Sequence, residues 1–284
     1  MVKKLCVLGA GTMGAGIAQV AAEHGIETAL RDIEDEFVQR GLNTISKFIG
    51  RKFEKGKISQ AEHDQIIARI KGTTSIKEAT EGVDMVIEAV IEDIDLKMKV
   101  FKEIDDLCPK DVVLSSNTST LSISKIASAT RYPQRVIGTH FFSPVPVMRL
   151  VEVIKGEKTA DFVVAAATEF CKHIGKTPII AKDVPGFIVN RFMCLLYNEA
   201  ANQIYAGLAS VEDIDLGLKL GANHPMGPVE IMDMAGIDVV YNALKAMYEM
   251  TGEERYKPSP VFEQMIKDNH LGRKTGKGFY NYSE

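Results

Sequence analysis

The chain has few cysteines, no long apolar run and no excess of one charge, and each absence removes a class of function. Cys6, Cys108, Cys171 and Cys194 stand far apart. None falls into a C-x-x-C or zinc spacing, so they read as reduced packing residues and no metal site is expected. No stretch is long enough to span a bilayer, so no membrane partner is expected. The chain enters a strand almost at once, without a basic n-region and an apolar h-region. That makes the cytoplasm the expected location. The formal net charge of −4 argues against nucleic acid or an anionic membrane as the main partner. No internal repeat or low-complexity tract interrupts the 284 residues. What remains is ordinary globular composition, 45% hydrophobic and 25% charged, with chain enough for two domains.

Lys3-Lys4-Leu5-Cys6-Val7-Leu8 opens charged and runs into a short apolar segment, the pattern of a buried parallel strand. Gly9-Ala10-Gly11-Thr12-Met13-Gly14 follows, and then an alanine-rich helical stretch to His24. This is G-x-G-x-x-G between strand and helix, a cradle for a pyrophosphate at a helix N-terminus. Gly9 permits the tight turn, Gly11 lets the backbone approach the phosphates, and Gly14 lets the helix pack close to the strand. Thr12 and Met13 complete the loop. A second strand, Ile26–Leu30, ends at Arg31-Asp32, which puts an acid where adenosine ribose hydroxyls are gripped. Asp32 favours NAD(H) over NADP(H), since a carboxylate repels a 2′-phosphate; Arg31 pulls the other way.

Residues from about 34 to 70 depart from a plain doubly wound unit. A long helical stretch runs to about Lys55, Gly56-Lys57 breaks it, and Ser59-x-x-Glu62 is a capping box for a second helix. The pattern is a helical hairpin inserted into the sheet connection. Lys47, Arg51, Lys52, Lys55 and Lys57 make its tip basic, either as a solvated face or as a clamp on a phosphorylated, nucleotide-like handle. Alternation then resumes, with strands at Asp84–Val90, Val112–Asn117 and Pro178–Ala181 and helices at Ile94–Cys108, Ser122–Ser128 and Asp161–His173. An α/β, Rossmann-type doubly wound sheet over residues 1–182 is predicted. Ligands of such sheets sit beyond the C-terminal ends of the strands, where Glu88 to Glu92, Asn117-Thr118-Ser119 and His140 fall.

The central stretch is Arg135–Lys155, RVIGTHFFSPVPVMRLVEVIK. Two β-rich runs, Arg135–His140 and Leu150–Ile154, flank a connection carrying Pro144 and Pro146, which cannot continue a ladder. The connection turns the chain back, so that His140 faces Glu152. A histidine held by a carboxylate has a fixed tautomer and a stabilised imidazolium, as a general base for an alcohol proton needs. Taken alone, the same two residues read as a core histidine beside a surface glutamate.

From Asp183-Val184-Pro185-Gly186 onward the periodicity is helical, which predicts an all-helical domain over 183–284. Asn190 either bonds local backbone or reaches into a substrate cleft between domains. Met226, Met232, Met234, Tyr241, Met247 and Tyr248 fit a core or a dimer surface, so a homodimer through this domain is expected. The polar tail GRKTGKGFYNY reads as partly ordered.

GAGTMGAGIAQVAA, SNTSTLSIS, HFFSPVPVMRLVEVI, DVPGFIVNR, HPMGP and GRKTGKGFYNY, in that order and nearly end to end, resemble the short-chain 3-hydroxyacyl-CoA dehydrogenase family. They are most like its bacterial 3-hydroxybutyryl-CoA dehydrogenases. The resemblance implies an NAD-binding domain, a helical dimerising domain and an acyl-CoA substrate. It also implies reversible hydride transfer between NADH and a short 3-ketoacyl-CoA, giving the (S) alcohol. It puts the catalytic histidine on His140, its partner on Glu152, and the substrate-contacting serine and asparagine on Ser119 and Asn190. Glu92, Lys97 and Asn117 fall at the nicotinamide end of the cofactor pocket, and Arg51 and Lys52 match the region that meets the CoA phosphates. The chain departs from the family pattern at Ser143, where HFFNP has asparagine, and at Leu195, where proline is common. Both departures bear on substrate positioning. Two other classes fit part of the pattern: a dehydrogenase of free hydroxy acids with a lysine as acid/base, and a non-catalytic NAD(H)-binding protein.

Overall fold

Short apolar runs alternating with amphipathic stretches resolve, in a computed structural model describing residues 1–282, into one eight-stranded sheet with flanking helices, followed by a helical unit. The elements are β1 (Lys4–Leu8), α1 (Thr12–Glu23), β2 (Glu27–Arg31), α2 (Asp35–Glu54), α3 (Gln60–Ala68), β3 (Ile70–Thr73) and α4 (Ile76–Ala79). Next come β4 (Met85–Glu88), α5 (Ile94–Leu107), β5 (Val113–Ser116), α6 (Ile123–Ala127), β6 (Val136–Phe141), β7 (Leu150–Lys155), α7 (Asp161–His173) and β8 (Thr177–Lys182). Then follow α8 (Val189–Tyr205), α9 (Val211–Gly221), α10 (Pro228–Ala235), α11 (Ile237–Thr251) and α12 (Pro260–Lys267). Two compact units result, one over Met1–Phe187 and the other from Ile188 onward.

The strand order is β3-β2-β1-β4-β5-β6-β7-β8. Strands β1 to β6 are parallel, β7 is antiparallel to β6, and β8 follows β7 in parallel. The order reverses between β1 and β4, which opens a crevice beyond their C-terminal ends. Strands β4 and β5 are buried at every residue, apolar at their starts and polar at Glu88 and Ser115-Ser116 where they end. Helix α1 is buried from Gly14 to Ala22, which accounts for its alanine content. In α2, Val38, Gly41, Ile45 and Ile49 form one inward face, and Asp35, Glu36, Arg40, Lys47, Arg51, Lys52 and Glu54 supply the charge of the remainder.

The hairpin forms as α2 and α3, with Gly56 at φ +65 between them and a Ser59–Glu62 capping box. Its second arm stops at Ala68, because Ile70–Thr73 is a strand that the sequence did not announce. IKGT lies at the sheet edge with no fully buried residue, so it lacks the apolar pattern that marks the central strands.

Strand β6 is anchored at its start by Arg135, only 1% exposed. Its guanidinium pairs with Asp105 at 2.7 Å and also donates to the Asp105, Cys108 and Pro109 carbonyls. In the second unit, Val229, Met232, Ile237, Leu244, Met247, Tyr256 and Phe262 form the core. Met247 and Met232 are buried there, whereas Met234 is 52% exposed. The tail is tightly built rather than partly ordered. Asp233 accepts the Phe279 and Tyr280 N–H groups at 2.9 Å, and the Tyr280 hydroxyl donates to Asp215. A Cβ on Gly278 would stand 2.0 Å from Asp233 Oδ1, so the glycine is what lets the tail lie against that carboxylate.

Candidate active site

The glycine loop leaves β1 at the crevice. Gly9 sits at φ +102, and a Cβ there would meet the Ala89 carbonyl oxygen at 2.5 Å, so the loops after β1 and β4 touch only because the residue is glycine. A Cβ on Gly14 would lie 1.8 Å from the Gly9 carbonyl, whereas one on Gly11 would project into open space. The loop thus packs inward at Gly9 and Gly14 and presents bare backbone at Gly11, where Thr12 and Met13 begin α1. That combination fits a dinucleotide pyrophosphate. Asp32, at the end of β2, accepts the Ala10 N–H at 2.6 Å and the Ile33 N–H at 2.7 Å, so the acid is fastened to the same loop. Arg31 donates Nε to the Thr74 carbonyl at 3.1 Å.

Beside this loop, β4 and β5 end in a buried polar cluster. Glu88, fully buried, accepts Lys97 Nζ at 2.6 Å, the Val90 N–H at 2.7 Å and the Ser116 hydroxyl at 2.6 Å. Lys97, only 1% exposed, also reaches Glu92 at 3.3 Å and the Val90 carbonyl at 3.3 Å. Its three N–H donors are therefore directed at protein acceptors. Glu92 Oε1 gathers donors from the next loop: the hydroxyl of Thr118 at 2.5 Å and N–H groups of Ser119 and Thr120 at 2.9 and 3.2 Å. Burial pushes the Glu88 carboxyl above the usual range, against the pull of Lys97. Burial pushes Glu92 the same way, but the Thr118 hydrogen bond, the Lys97 ammonium and the Ser119 N–H outweigh it and hold Glu92 below that range. Asn117 accepts the Phe141 N–H at 2.9 Å, which ties this loop to β6.

His140 and Glu152 are direct partners in the antiparallel β6–β7 register, and Nδ1 of the ring lies 2.7 Å from Glu152 Oε2. The histidine is 6% exposed and the glutamate is fully buried. A carboxylate accepts only, so Nδ1 carries the proton and the lone pair of the neutral ring is on Nε2. Phe142 and Phe187 stand against the ring at centroid distances of 4.5 and 5.8 Å. Ser143 is exposed, on the connection between the two strands.

At the hairpin, Arg51, Lys52, Lys55 and Lys57 border a cavity of about 430 Å³ whose opposite wall includes Gly16 and Pro144–Val147. Lys52 is not an isolated cation: it pairs with Glu23 of α1 at 2.6 Å. Arg51 lies over the Phe48 ring. Sequence reasoning passed over Lys176, whose buried ammonium holds the Val145 and Met148 carbonyls at 2.5 and 2.9 Å and so fixes this wall. It also passed over Asp183, which accepts the Ser122 hydroxyl and the Ile123 and Ser124 N–H groups at the start of α6. Each is a charge in a loop motif, and its partners are distant in sequence. Asn190 is the second residue of α8, in the other unit, and α8 runs unbroken through Leu195.

Among the described residues no group of three or more His, Cys, Asp or Glu could hold a metal ion, and no helix is long and apolar enough to cross a membrane. All four cysteines are free and buried; burial pushes the thiols of Cys108 and Cys194 up to about 11 and that of Cys171 to about 12. None is a ready nucleophile.

Residues 4–184 match the family domain described as 3-hydroxyacyl-CoA dehydrogenase, NAD binding domain, and residues 186–282 match its C-terminal domain. A probable 3-hydroxybutyryl-CoA dehydrogenase of Bacillus subtilis is 41% identical over 100% of this chain and 98% of its own length. The 3-hydroxybutyryl-CoA dehydrogenase of Clostridioides difficile is 41% identical over 99% of this chain and 100% of its own. The crystal structure of an (S)-3-hydroxybutyryl-CoA dehydrogenase from Ralstonia eutropha superposes with a TM-score of 0.96, at 43% identity and covering 100% of both chains. With two family domains in succession along the sequence and a glycine cradle shaped for the dinucleotide that the first one names, this chain belongs to the 3-hydroxyacyl-CoA dehydrogenase family.

Proposed function

We propose that the protein interconverts (S)-3-hydroxybutyryl-CoA and acetoacetyl-CoA with NAD(H), and that His140 is its general acid/base. The observation that carries the reading is the 2.7 Å His140–Glu152 pair, placed at the same sheet edge as the glycine loop and the Glu92–Asn117 cluster. The names of the full-length relatives supply the substrate class.

Gly9, Gly11, Thr12, Met13 and Gly14 would hold the pyrophosphate and Asp32 the adenosine ribose. Glu92 and Asn117 would line the nicotinamide end, with Lys97 behind them. A nicotinamide held there would supply the hydride chemistry at C3, in either direction. In the reductive direction Nε2–H of the His140 imidazolium protonates the oxygen at C3; in the oxidative direction the neutral ring takes that proton. Glu152 keeps Nδ1 protonated and stabilises the charged ring, and such acid–base help is worth ~10²–10⁴-fold. Ser119 and Asn190 are proposed to donate to the substrate oxygens where charge develops. Arg51 and Lys52 are proposed to meet the CoA phosphates, with Arg51 the stronger because Glu23 already offsets Lys52. The same reading makes the protein cytoplasmic and a homodimer paired through the helical unit, where Phe192, Leu208 and Leu220 are 72%, 73% and 76% exposed.

One assay tests this: NADH and NADPH oxidation with acetoacetyl-CoA, with longer 3-ketoacyl thioesters, and with free acetoacetate. NADH-dependent turnover of acetoacetyl-CoA well above that of acetoacetate is expected. Equal rates would favour a free-acid dehydrogenase, and NADH binding without turnover would leave only a dinucleotide binder.

A further inference from the structure

We infer that Glu88 is a positioning residue: through Lys97 it fixes Glu92, and through Glu92 the Asn117–Thr120 loop. The inference rests on the reading of the site just given. Glu88 lies in the last position of β4 and is fully buried. One of its oxygens takes the Lys97 ammonium and the Val90 N–H; the other takes the Ser116 hydroxyl, which itself accepts the Thr118 N–H at 3.2 Å. A single carboxylate therefore holds the first residues beyond β4, the last residue of β5 and the inner face of α5. Lys97 passes this constraint to Glu92 at 3.3 Å, and Glu92 Oε1 spends its capacity on the hydroxyl and N–H donors of Thr118, Ser119 and Thr120.

The direction of the coupling follows from charge. Lys97 is buried between two carboxylates and lies closer to Glu88, at 2.6 Å, than to Glu92. With Glu88 neutralised, the ammonium has one anionic partner left and moves toward it. Glu92 then turns toward Lys97 and releases the donors that hold the loop bearing Asn117 and Ser119. A purely structural pair would behave differently. It would need only charge balance in the interior, which two neutral side chains also provide.

The test uses Glu88→Gln, Lys97→Met and the double variant in the full-length protein. It reads thermal midpoint, NADH affinity by fluorescence titration, and kcat and KM with acetoacetyl-CoA. Each single variant is expected to lose stability and turnover together. The double variant is expected to regain most of the thermal midpoint yet stay about 10- to 100-fold low in kcat/KM and weak for NADH, the scale of a misplaced site. A double variant with parental midpoint and parental kinetics would overturn the inference. Ser116→Ala leaves both charges in place and keeps the test decisive if the charge variants fail to fold. It should weaken NADH binding several-fold at a near-parental midpoint, and parental binding would overturn the inference. Parent protein that binds NADH without acetoacetyl-CoA-dependent oxidation would sink the proposed activity instead, leaving the titration to judge the network.

Discussion

The two ends of β6 each carry a buried carboxylate held by a nitrogen donor, and the two pairs are built differently. At the start, the Arg135 guanidinium is fully spent on Asp105 and on backbone carbonyls of residues 105, 108 and 109. At the other end, Glu152 takes Nδ1 of His140, and Nε2 makes no hydrogen bond among the described residues. Burial and pairing are thus common to both ends. What separates them is unspent hydrogen-bonding capacity, and it lies at the C-terminal sheet edge, where α/β sheets bind their ligands. The first end holds the strand in place; the second end uses the strand.

Breaking the open end should remove activity and little else. His140→Ala is expected to lower kcat by ~10²–10⁴-fold while NADH affinity and thermal midpoint stay near parental. Near-normal turnover would take the proton-transfer role away from this ring. Breaking the closed end should do the reverse. Arg135→Met leaves the buried Asp105 without its main cation and is expected to destabilise the fold by about 3–5 kcal/mol in urea unfolding. Turnover per folded molecule should be retained, and a selective loss of kcat would erase the contrast between the two ends. Glu152→Gln sits between these extremes. It keeps the side-chain volume but removes the charge that stabilises the imidazolium, so kcat should fall about 10²-fold, the low end of acid–base effects. Unchanged kinetics would make the pair structural, like its counterpart at Arg135.

How much of this was legible before the structure depends on where the partners lie. The return of the chain from β6 to β7 follows from two β-rich runs around Pro144 and Pro146, so the juxtaposition of His140 with Glu152 could be read locally. The strand–glycine–helix turn is equally local, because Gly9 and Gly14 answer to steric limits a few residues away. By contrast, β3 is a short edge strand with nothing to bury on its outer side, and its polar sequence gave no signal. The order of the tail depends on Asp215 and Asp233, carboxylates more than 40 residues upstream. Lys52 looked like one cation in a basic run; its partner Glu23 comes from another helix. Family resemblance puts Lys97 at the cofactor pocket, and only packing reveals that its ammonium faces Glu88 and Glu92 from inside. Spacing reveals which residues share an element, whereas pairing across elements needs the fold.

The smallest expected effect sharpens the contrast through pH. Burial alone would push the Asp105 carboxyl up, but hydrogen bonds from the Arg135 guanidinium, the Arg131 N–H and the Arg131 side chain hold it below the ordinary aspartate range. An acid depressed in the folded state adds stability that is complete above its unfolded value, about 3.9, and is lost as pH falls through the folded value. Asp105→Asn removes that contribution, so its urea midpoint should lie below parental at pH 6. The gap should narrow on acidification below the unfolded value of about 3.9, and close further as the folded parental carboxyl protonates as well. A gap of constant size would mean that Asp105 acts through shape and hydrogen bonding alone, with no net electrostatic share. The closed end of β6 would then differ from the His140 end in chemistry as well as in capacity, because the function proposed for Glu152 requires its charge.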